Sequence, residues 1–513
     1  MYKIKSLIYL AAFLFASMKV EAQEKRPNII VFMVDDMGWM DTSVPFANKV
    51  MPLNKVYHTP NMERLAREGM KFTNAYATSV CTPSRISMLT GLNAAHHQVT
   101  NWTQIKKDSP SDRDDEVFNQ MDWNFNGYSP IPHVPHTIYA TAMPQLLKQS
   151  GYFTVHVGKA HWGSQGTPGA NPLNLGFMIN IAGNAIGHPQ SYYGTENYGN
   201  MPGKFTFNAV QGLAEYYGTD TFLTEALTLE AIKSIDQAAS SKQPFYLHLS
   251  HYAIHDPIQA DPRFIQKYID TGMDPREAKY ASLIEGMDKS LGDVMDYLNK
   301  KQISDQTIIL FMSDNGGLSL EPMRGGGSHT QNLPLKAGKG SLYEGGIREP
   351  MIVKWPSVTK ANSTCDQPVI IEDFFPSILQ MAGIEKPEVV QEVDGKSFVP
   401  LLKGQPYSYK NRSLIWYNPH KWTGVDGPGI NYFSAIRQGK WKLVYGFKKE
   451  KLELYDLSKD IGEHHDLIKK EKAVAKKLAA LLTSQLKDWH VVLPTYKNTG
   501  RSLSWPQEKA NEL

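Results

Sequence analysis

Four short apolar runs, each ending in residues that can ligate or titrate, constrain this chain more than any other feature of its sequence. Ile29 to Val34 leads into Asp35-Asp36, and Phe153 to Val157 into Lys159 and His161. Phe245 to Leu249 leads into His251 and His255, and Thr307 to Met312 into Asp314-Asn315. Continuous β-branched and aromatic runs of this length read as strands buried on both faces. Helical patterns separate them. The clearest follows Arg276, where Leu283, Ile284, Met287, Leu291, Val294, Met295 and Leu298 keep a 3.6-residue period. Alternation of this kind predicts an α/β fold: a large, mostly parallel central sheet flanked by helices. In such a sheet the loops after the strands converge on one edge, where ligands bind, so the four polar clusters are expected at one place.

The ends of the chain read differently. Lys3 and Lys5 precede an apolar run from Leu7 to Ala16, and Val20-Glu21-Ala22 offers small residues where a signal peptidase cuts. Residues 1–22 are therefore expected to be a cleavable signal peptide, with the mature protein secreted into a bacterial periplasm or the exterior. The run is shorter than the roughly 20 residues of a membrane span, so no stable membrane insertion is expected. Lys and Arg number 54 against 51 Asp and Glu, a net charge of +3, which gives no field for nucleic acid. Beyond residue 404 the pattern becomes α+β. Ser434 to Arg437 and Trp441 to Tyr445 flank Gln438-Gly439-Lys440, which predicts a hairpin, Leu452 to Leu457 adds a third strand, and a helix carries Val474, Leu478, Leu481, Leu482 and Trp489 on one face. The expected organisation is a main unit over residues 23–404 and a smaller C-terminal subdomain over 405–513, with a short antiparallel sheet.

The chemistry starts from donor types. Asp35, Asp36, Asp314 and Asn315 offer only oxygen, which selects calcium or magnesium over zinc. Cys81-Thr82-Pro83-Ser84-Arg85 carries a Pro suited to a first helical turn, which places Cys81 just before a helix N-terminus, where an anion is favoured. The chain has only one other cysteine, Cys365, so a disulfide scaffold is excluded and a single bridge is the alternative to a reactive thiol.

The segment Cys81-Thr82-Pro83-Ser84-Arg85, with Leu89-Thr90-Gly91 behind it, resembles the signature of the type I, formylglycine-dependent sulfatases of the alkaline phosphatase-like superfamily. The resemblance covers nearly the whole mature chain and is closest to secreted bacterial glycan sulfatases. Pro27 to Asp36 resembles the family's first strand, Gly151 to Lys159 with His161 its second signature, Ala337 to Arg348 its lysine loop, and Leu454 to Leu457 its C-terminal strand. One departure is Ala160, where Trp is more usual, with Trp162 two residues on. The resemblance implies a catalytic domain over 23–404. It implies that a maturation enzyme, the formylglycine-generating enzyme, converts Cys81 to formylglycine, and that Asp35, Asp36, Asp314 and Asn315 hold one Ca2+ together with the modified Cys81. It further implies that Arg85 stabilises the aldehyde hydrate, that Lys159 and Lys339 clamp sulfate oxygens, that His255 protonates the leaving alcohol, and that His161 takes the proton whose removal lets sulfate depart. His251 receives no role.

The expected activity is thus that of a sulfuric ester hydrolase on carbohydrates, with an exo-acting 4-O-sulfatase for galactose or N-acetylgalactosamine favoured. Aromatics that suit sugar faces are Trp102, Trp123 and Tyr128 in a long loop from Asn101 to Thr137, with Trp416, Tyr417 and Trp422 nearer the C-terminus. The alternatives are a phosphate or phosphonate ester hydrolase on the same fold, whose members tend to carry Asp-His where this chain has Asp314-Asn315, and a catalytically silent binder of sulfated glycans.

Overall fold

A computed structural model describes residues 26–47, 49–201, 203, 206–318, 332–424 and 426–513. The expected signal peptide, residues 1–22, lies outside them. The strands in chain order are β1 (Asn28–Val34), β2 (Met70–Tyr76), β3 (Gly127–Ser129), β4 (Thr137–Tyr139), β5 (Phe153–Gly158), β6 (Ile179–Ile181), β7 (Phe245–Ser250), β8 (Thr307–Ser313), β9 (Arg348–Lys354), β10 (Ser363–Cys365) and β11 (Val369–Ile370), followed by β12 (Ser413–Asn418), β13 (Phe433–Gln438), β14 (Trp441–Gly446) and β15 (Lys451–Asp456). A nine-stranded sheet runs in the order β10-β2-β9-β8-β1-β7-β5-β6, with β11 also on β2. All its pairings are parallel except those of β9, which is antiparallel to both β8 and β2. The α/β expectation is met.

Strand β1 lies between β7 and β8, and its side chains alternate between two cores. Ile29, Val31 and Met33 face a cluster with Ile86, Leu89 and Phe374, whereas Ile30, Phe32 and Val34 face Leu223, Leu227, Leu283 and Met287. Covered on both faces, the strand has no polar position from Ile29 to Val34, which is why that run is unbroken. The helix expected after Arg276 spans Pro275–Lys300, and all seven of its predicted apolar residues are buried. Asp274 caps it by accepting from the backbone of Arg276 and Glu277.

Backbone bonds tie the carboxyl ends of the four strands into one edge. Asp35 N–H donates to the Ala253 carbonyl (2.9 Å), His251 N–H to Met33 (3.0 Å), Lys159 N–H to Ser250 (2.8 Å) and Asp314 N–H to Val34 (3.1 Å).

The C-terminal antiparallel sheet has the order β12-β13-β14-β15, four strands rather than three. The additional strand, β12, holds Trp416 and Tyr417, for which the sequence favoured sugar stacking. They are 2% and 6% exposed. Trp416 Nε1 donates to the Ala77 carbonyl and Tyr417 Oη to that of Val492, so both close cores. The helix Lys472–Asp488 packs Leu478 and Leu482 on this sheet. The loop from Asn101 to Thr137 contains β3, which pairs with β4, and two of its aromatics are also core residues. Trp123 sits edge-on to Phe125, and Tyr128 Oη donates to the Ala140 carbonyl. Among the described residues no helix is long and apolar enough to cross a membrane.

Candidate active site

Cys81 is the first residue of the helix Cys81–Thr90, with Val80 as the extended N-cap. The thiol therefore starts the helix rather than preceding it. It is 3% exposed at the floor of a cavity of about 800 Å³, and neither it nor Cys365 forms a disulfide. Its Sγ lies 3.6 Å from Asp35 Oδ1. One ligand atom from each of Asp35, Asp36, Cys81 and His255 falls within 4.8 Å of the others. One helical turn beyond Cys81, the buried Arg85 donates through Nε to Asp314 Oδ2 (2.8 Å) and through Nη1 to the Lys159 carbonyl (3.0 Å) and Ser250 Oγ (2.7 Å). That network joins the helix to the ends of β5, β7 and β8.

Three carboxylates are thus buried together. Lys159 Nζ lies 2.6 Å from Asp35, Lys339 Nζ lies 2.7 Å from Asp36, and Arg85 Nη2 lies 2.8 Å from Asp314. Burial and the nearby Asp314 push Asp35 up to about 6 despite Lys159. For Asp36, burial is outweighed by His255, Lys339 and Lys159, which hold it at about 2. The donor set also fits a hard cation. Asn315 Nδ2 donates to Asp36 Oδ1 (2.8 Å), which fixes the amide, and its buried Oδ1 has no hydrogen-bond partner. A buried oxygen without a donor beside three carboxylates is the arrangement a cation satisfies.

The two histidines sit in opposite electrostatic surroundings. His161 Nε2 faces the Thr103 carbonyl at 2.9 Å, which can only accept, so Nε2 carries the hydrogen and Nδ1 is the free lone pair. Nδ1 is buried with no partner. Burial and the charge of Lys159 hold this ring well below the usual range, hence neutral. For His255, burial favours the neutral form, but Asp36, Asp35 and Asp256 outweigh burial and the repulsion of Lys339, so its pKa is raised. Asp256 Oδ1 lies 2.9 Å from His255 Nδ1, while Nε2 lies 3.0 Å from Lys339 Nζ. Asp36 and His161 both adopt left-handed φ, 63° and 55°, a conformation uncommon for residues with side chains and frequent at functional sites. His251 takes a different place: its Nε2 pairs with Ser290 Oγ at 2.8 Å in the core.

A sulfatase family model matches residues 27–384. The chain belongs to the sulfatase family. As a sulfatase it is a sulfuric ester hydrolase, and a second model, for the C-terminal part of N-sulphoglucosamine sulphohydrolase, matches residues 338–491. A sulfatase of Formosa agariphila is 28% identical, the match covering 94% of this chain and 92% of that protein. The mouse N-acetylgalactosamine-6-sulfatase is 27% identical over 88% of this chain and 85% of its own. Among solved structures, that of Ps i-CgsB in complex with k-i-k-neocarrahexaose has a TM-score of 0.70 at 27% identity, covering 90% of this chain and 93% of that one.

The sulfatase cavity also holds residues that the sequence did not single out. His188 stacks on His255, with ring centroids 5.5 Å apart and planes at 4°, and its Nε2 pairs with Asn208 Nδ2 at 3.0 Å. Both line the cavity, as do Asp256, Lys106 and Arg113. These side chains arrive on irregular loops, where no periodicity marks them. Of the six aromatics proposed for sugar contact, Trp102 and Trp422 line the cavity and the other four do not. The departure at Ala160 is met by Trp162, which is 1% exposed and stacks on Phe177.

Proposed function

We propose that this sulfatase is calcium- and formylglycine-dependent and removes a 6-O-sulfate from terminal galactose or N-acetylgalactosamine residues of a sulfated glycan. The observation that carries the reading is the convergence of Cys81, three carboxylates, two lysines, His161 and His255 at the floor of one cavity. Position 6 replaces the 4-position favoured on sequence grounds, because the relative named by position is a 6-sulfatase. An exocyclic C6 sulfate also reaches farther from its ring toward a nucleophile that is 3% exposed. That depth favours a chain end over an internal residue.

Asp35, Asp36, Asp314 and Asn315 Oδ1, with the modified Cys81, are the residues that hold the calcium ion in this reading; bound there, the ion supplies positive charge to the sulfate. Formylglycine, once hydrated, supplies a nucleophilic hydroxyl and a second one through which sulfate can be expelled. The remaining work belongs to the chain's own side chains. Lys159 and Lys339 place two ammonium groups where charge grows on the sulfate oxygens. Arg85 holds Asp314 and the start of the Cys81 helix in register, so its charge lies beneath the nucleophile. His255, protonated and braced by Asp256, gives a proton to the departing alcohol, and neutral His161 accepts one at Nδ1. Residues 23–404 act as the catalytic domain and 405–513 as a subdomain that brings Trp422 to the cavity wall. An N-terminal signal and export fit a protein acting on glycans outside the cytoplasm.

The test is sulfate release by protein matured with a formylglycine-generating enzyme, supplied with calcium and offered 6- and 4-sulfated N-acetylgalactosamine and galactose. Release from the 6-sulfated sugars at least tenfold faster is expected. Faster release from the 4-sulfated ones overturns the positional assignment.

A further inference from the structure

The catalytic groups occupy only the floor of the cavity. Its volume, about 800 Å³, lies high in the range of roughly 300–1,000 Å³ typical of small-molecule sites and exceeds what one sulfated sugar fills. The cavity is also lined by two exposed cations with no part in the chemistry above, Lys106 and Arg113. Among the described residues neither the Lys106 ammonium nor the Arg113 guanidinium has an ion-pair partner, whereas every catalytic cation does. The carboxylate on the same wall, Asp256, is engaged by His255.

The backbone that carries the two cations is anchored along its length. Thr103 N–H donates to Thr82 Oγ1 (3.1 Å), on the Cys81 helix, and Gln165 N–H donates to the Ile105 carbonyl (2.8 Å). Asp108 N–H donates to Asn126 Oδ1 (2.9 Å), and Arg113 N–H to the Lys421 carbonyl (3.0 Å). A clamp from the C-terminal unit adds to this, since His420 bridges Thr100 Oγ1 (2.5 Å) and Asp112 Oδ2 (3.1 Å). Cations presented by a held backbone bind an anion at the ordering cost of their side chains alone. Trp102 and Trp422, on the same wall, offer faces to a sugar ring.

Resting on the reading of the floor as a sulfatase site, we infer that Lys106 and Arg113 form a second anion subsite, which selects substrates whose sugar next to the sulfated residue itself bears a negative group. A uronate carboxylate and a second sulfate ester share this chemistry. Charge-assisted contacts to both side chains correspond to about tenfold or more in affinity.

The test is calorimetric binding to full-length protein left unmatured, so that no turnover intervenes. The probes are N-acetylgalactosamine 6-sulfate, the disaccharide in which that residue is joined to glucuronic acid, the same disaccharide with its carboxyl reduced to the alcohol, and a 6-sulfated galactose disaccharide with a second sulfate on the neighbouring sugar. The wild type is expected to bind one or both doubly anionic disaccharides at least tenfold more tightly than the carboxyl-reduced one, and whichever binds better identifies the anion. In Lys106→Ala/Arg113→Ala that preference should fall at least tenfold relative to the monosaccharide. Equal binding of the disaccharides by the wild type, or an equal loss for every probe in the double variant, overturns the inference while leaving the sulfatase reading intact. Failure of the wild type to bind any probe, the monosaccharide included, overturns the substrate reading and this inference with it.

Discussion

Gly340 offers a sharp test of how the lysine loop is built. Its φ is 86°, where an alanine costs roughly 1–2 kcal/mol. A Cβ there would also lie 2.2 Å from Trp422 Cζ3 and 2.3 Å from Cε3. Carbon atoms pack at about 3.5–4.0 Å, so the ring or the loop must yield by more than about 1 Å, and overpacking of that kind costs about 1–3 kcal/mol. The loop does not yield freely: Gly340 N–H donates to the Ser79 carbonyl (2.7 Å) and Lys339 N–H to that of Gly317 (3.0 Å). Lys339 is the adjoining residue, and a 1 Å misplacement of a positioning group costs on the order of 100-fold in rate. Gly340→Ala should therefore lower kcat/KM for sulfate release by about 10- to 100-fold and lower Tm. Adding Trp422→Ala removes the collision and leaves the φ penalty, so the double variant should recover part of the Tm loss beyond the sum of the single changes. Wild-type activity and Tm in Gly340→Ala, or strict additivity in the pair, would refute this account of the loop.

Further predictions concern the base, the metal and a buried acid. His161→Gln keeps a donor for Thr103 but cannot take a proton, so kcat should fall by about 10²- to 10⁴-fold with KM little changed; a fall in KM-limited rates alone would argue for a binding role. Calcium at 100 times its Kd should stabilise the fold by about 2.7 kcal/mol, read as a rise in Tm that a chelator reverses, and Asn315→Leu, which removes the unpaired oxygen, should shrink that rise. Glu372 is buried, and burial with the neighbouring Asp373 pushes its carboxyl up to about 8. The folded state then holds a proton that the unfolded state releases near the ordinary glutamate value of 4.5, so stability falls as pH rises between those values. Glu372→Gln should therefore raise Tm more at pH 8 than at pH 5, and parallel Tm profiles would contradict this.

The four strands that carry the site were legible because burial on both faces keeps them mostly apolar, with Thr154, His156 and His248 as buried exceptions, and the residues after them fall at one edge because parallel strands end together. The helix Pro275–Lys300 was legible from its period. The strand β2 was not, since its MKFTNAY sequence mixes polar and apolar residues where β9, β10 and β11 meet it. Nor was β12, whose Trp416 and Tyr417 read as ligand-facing aromatics because sequence does not separate an aromatic on a sugar from one in a core. Loop placement hid the cavity wall in the same way. His188 reaches His255, and Asn208 reaches His188, only through tertiary contacts, and the tautomer of His161 depends on a carbonyl at Thr103, 58 positions away.

The roles of the floor residues follow from one premise, that residue 81 is the nucleophile. The most direct test is ion-chromatographic measurement of sulfate released from a 6-sulfated sugar by calcium-loaded, matured wild type and by Cys81→Ala, with mass spectrometry reporting the state of residue 81. The account predicts release only where the aldehyde is present and none from a Cys81→Ala protein that keeps the wild-type fold. Substantial release by that variant would contradict it.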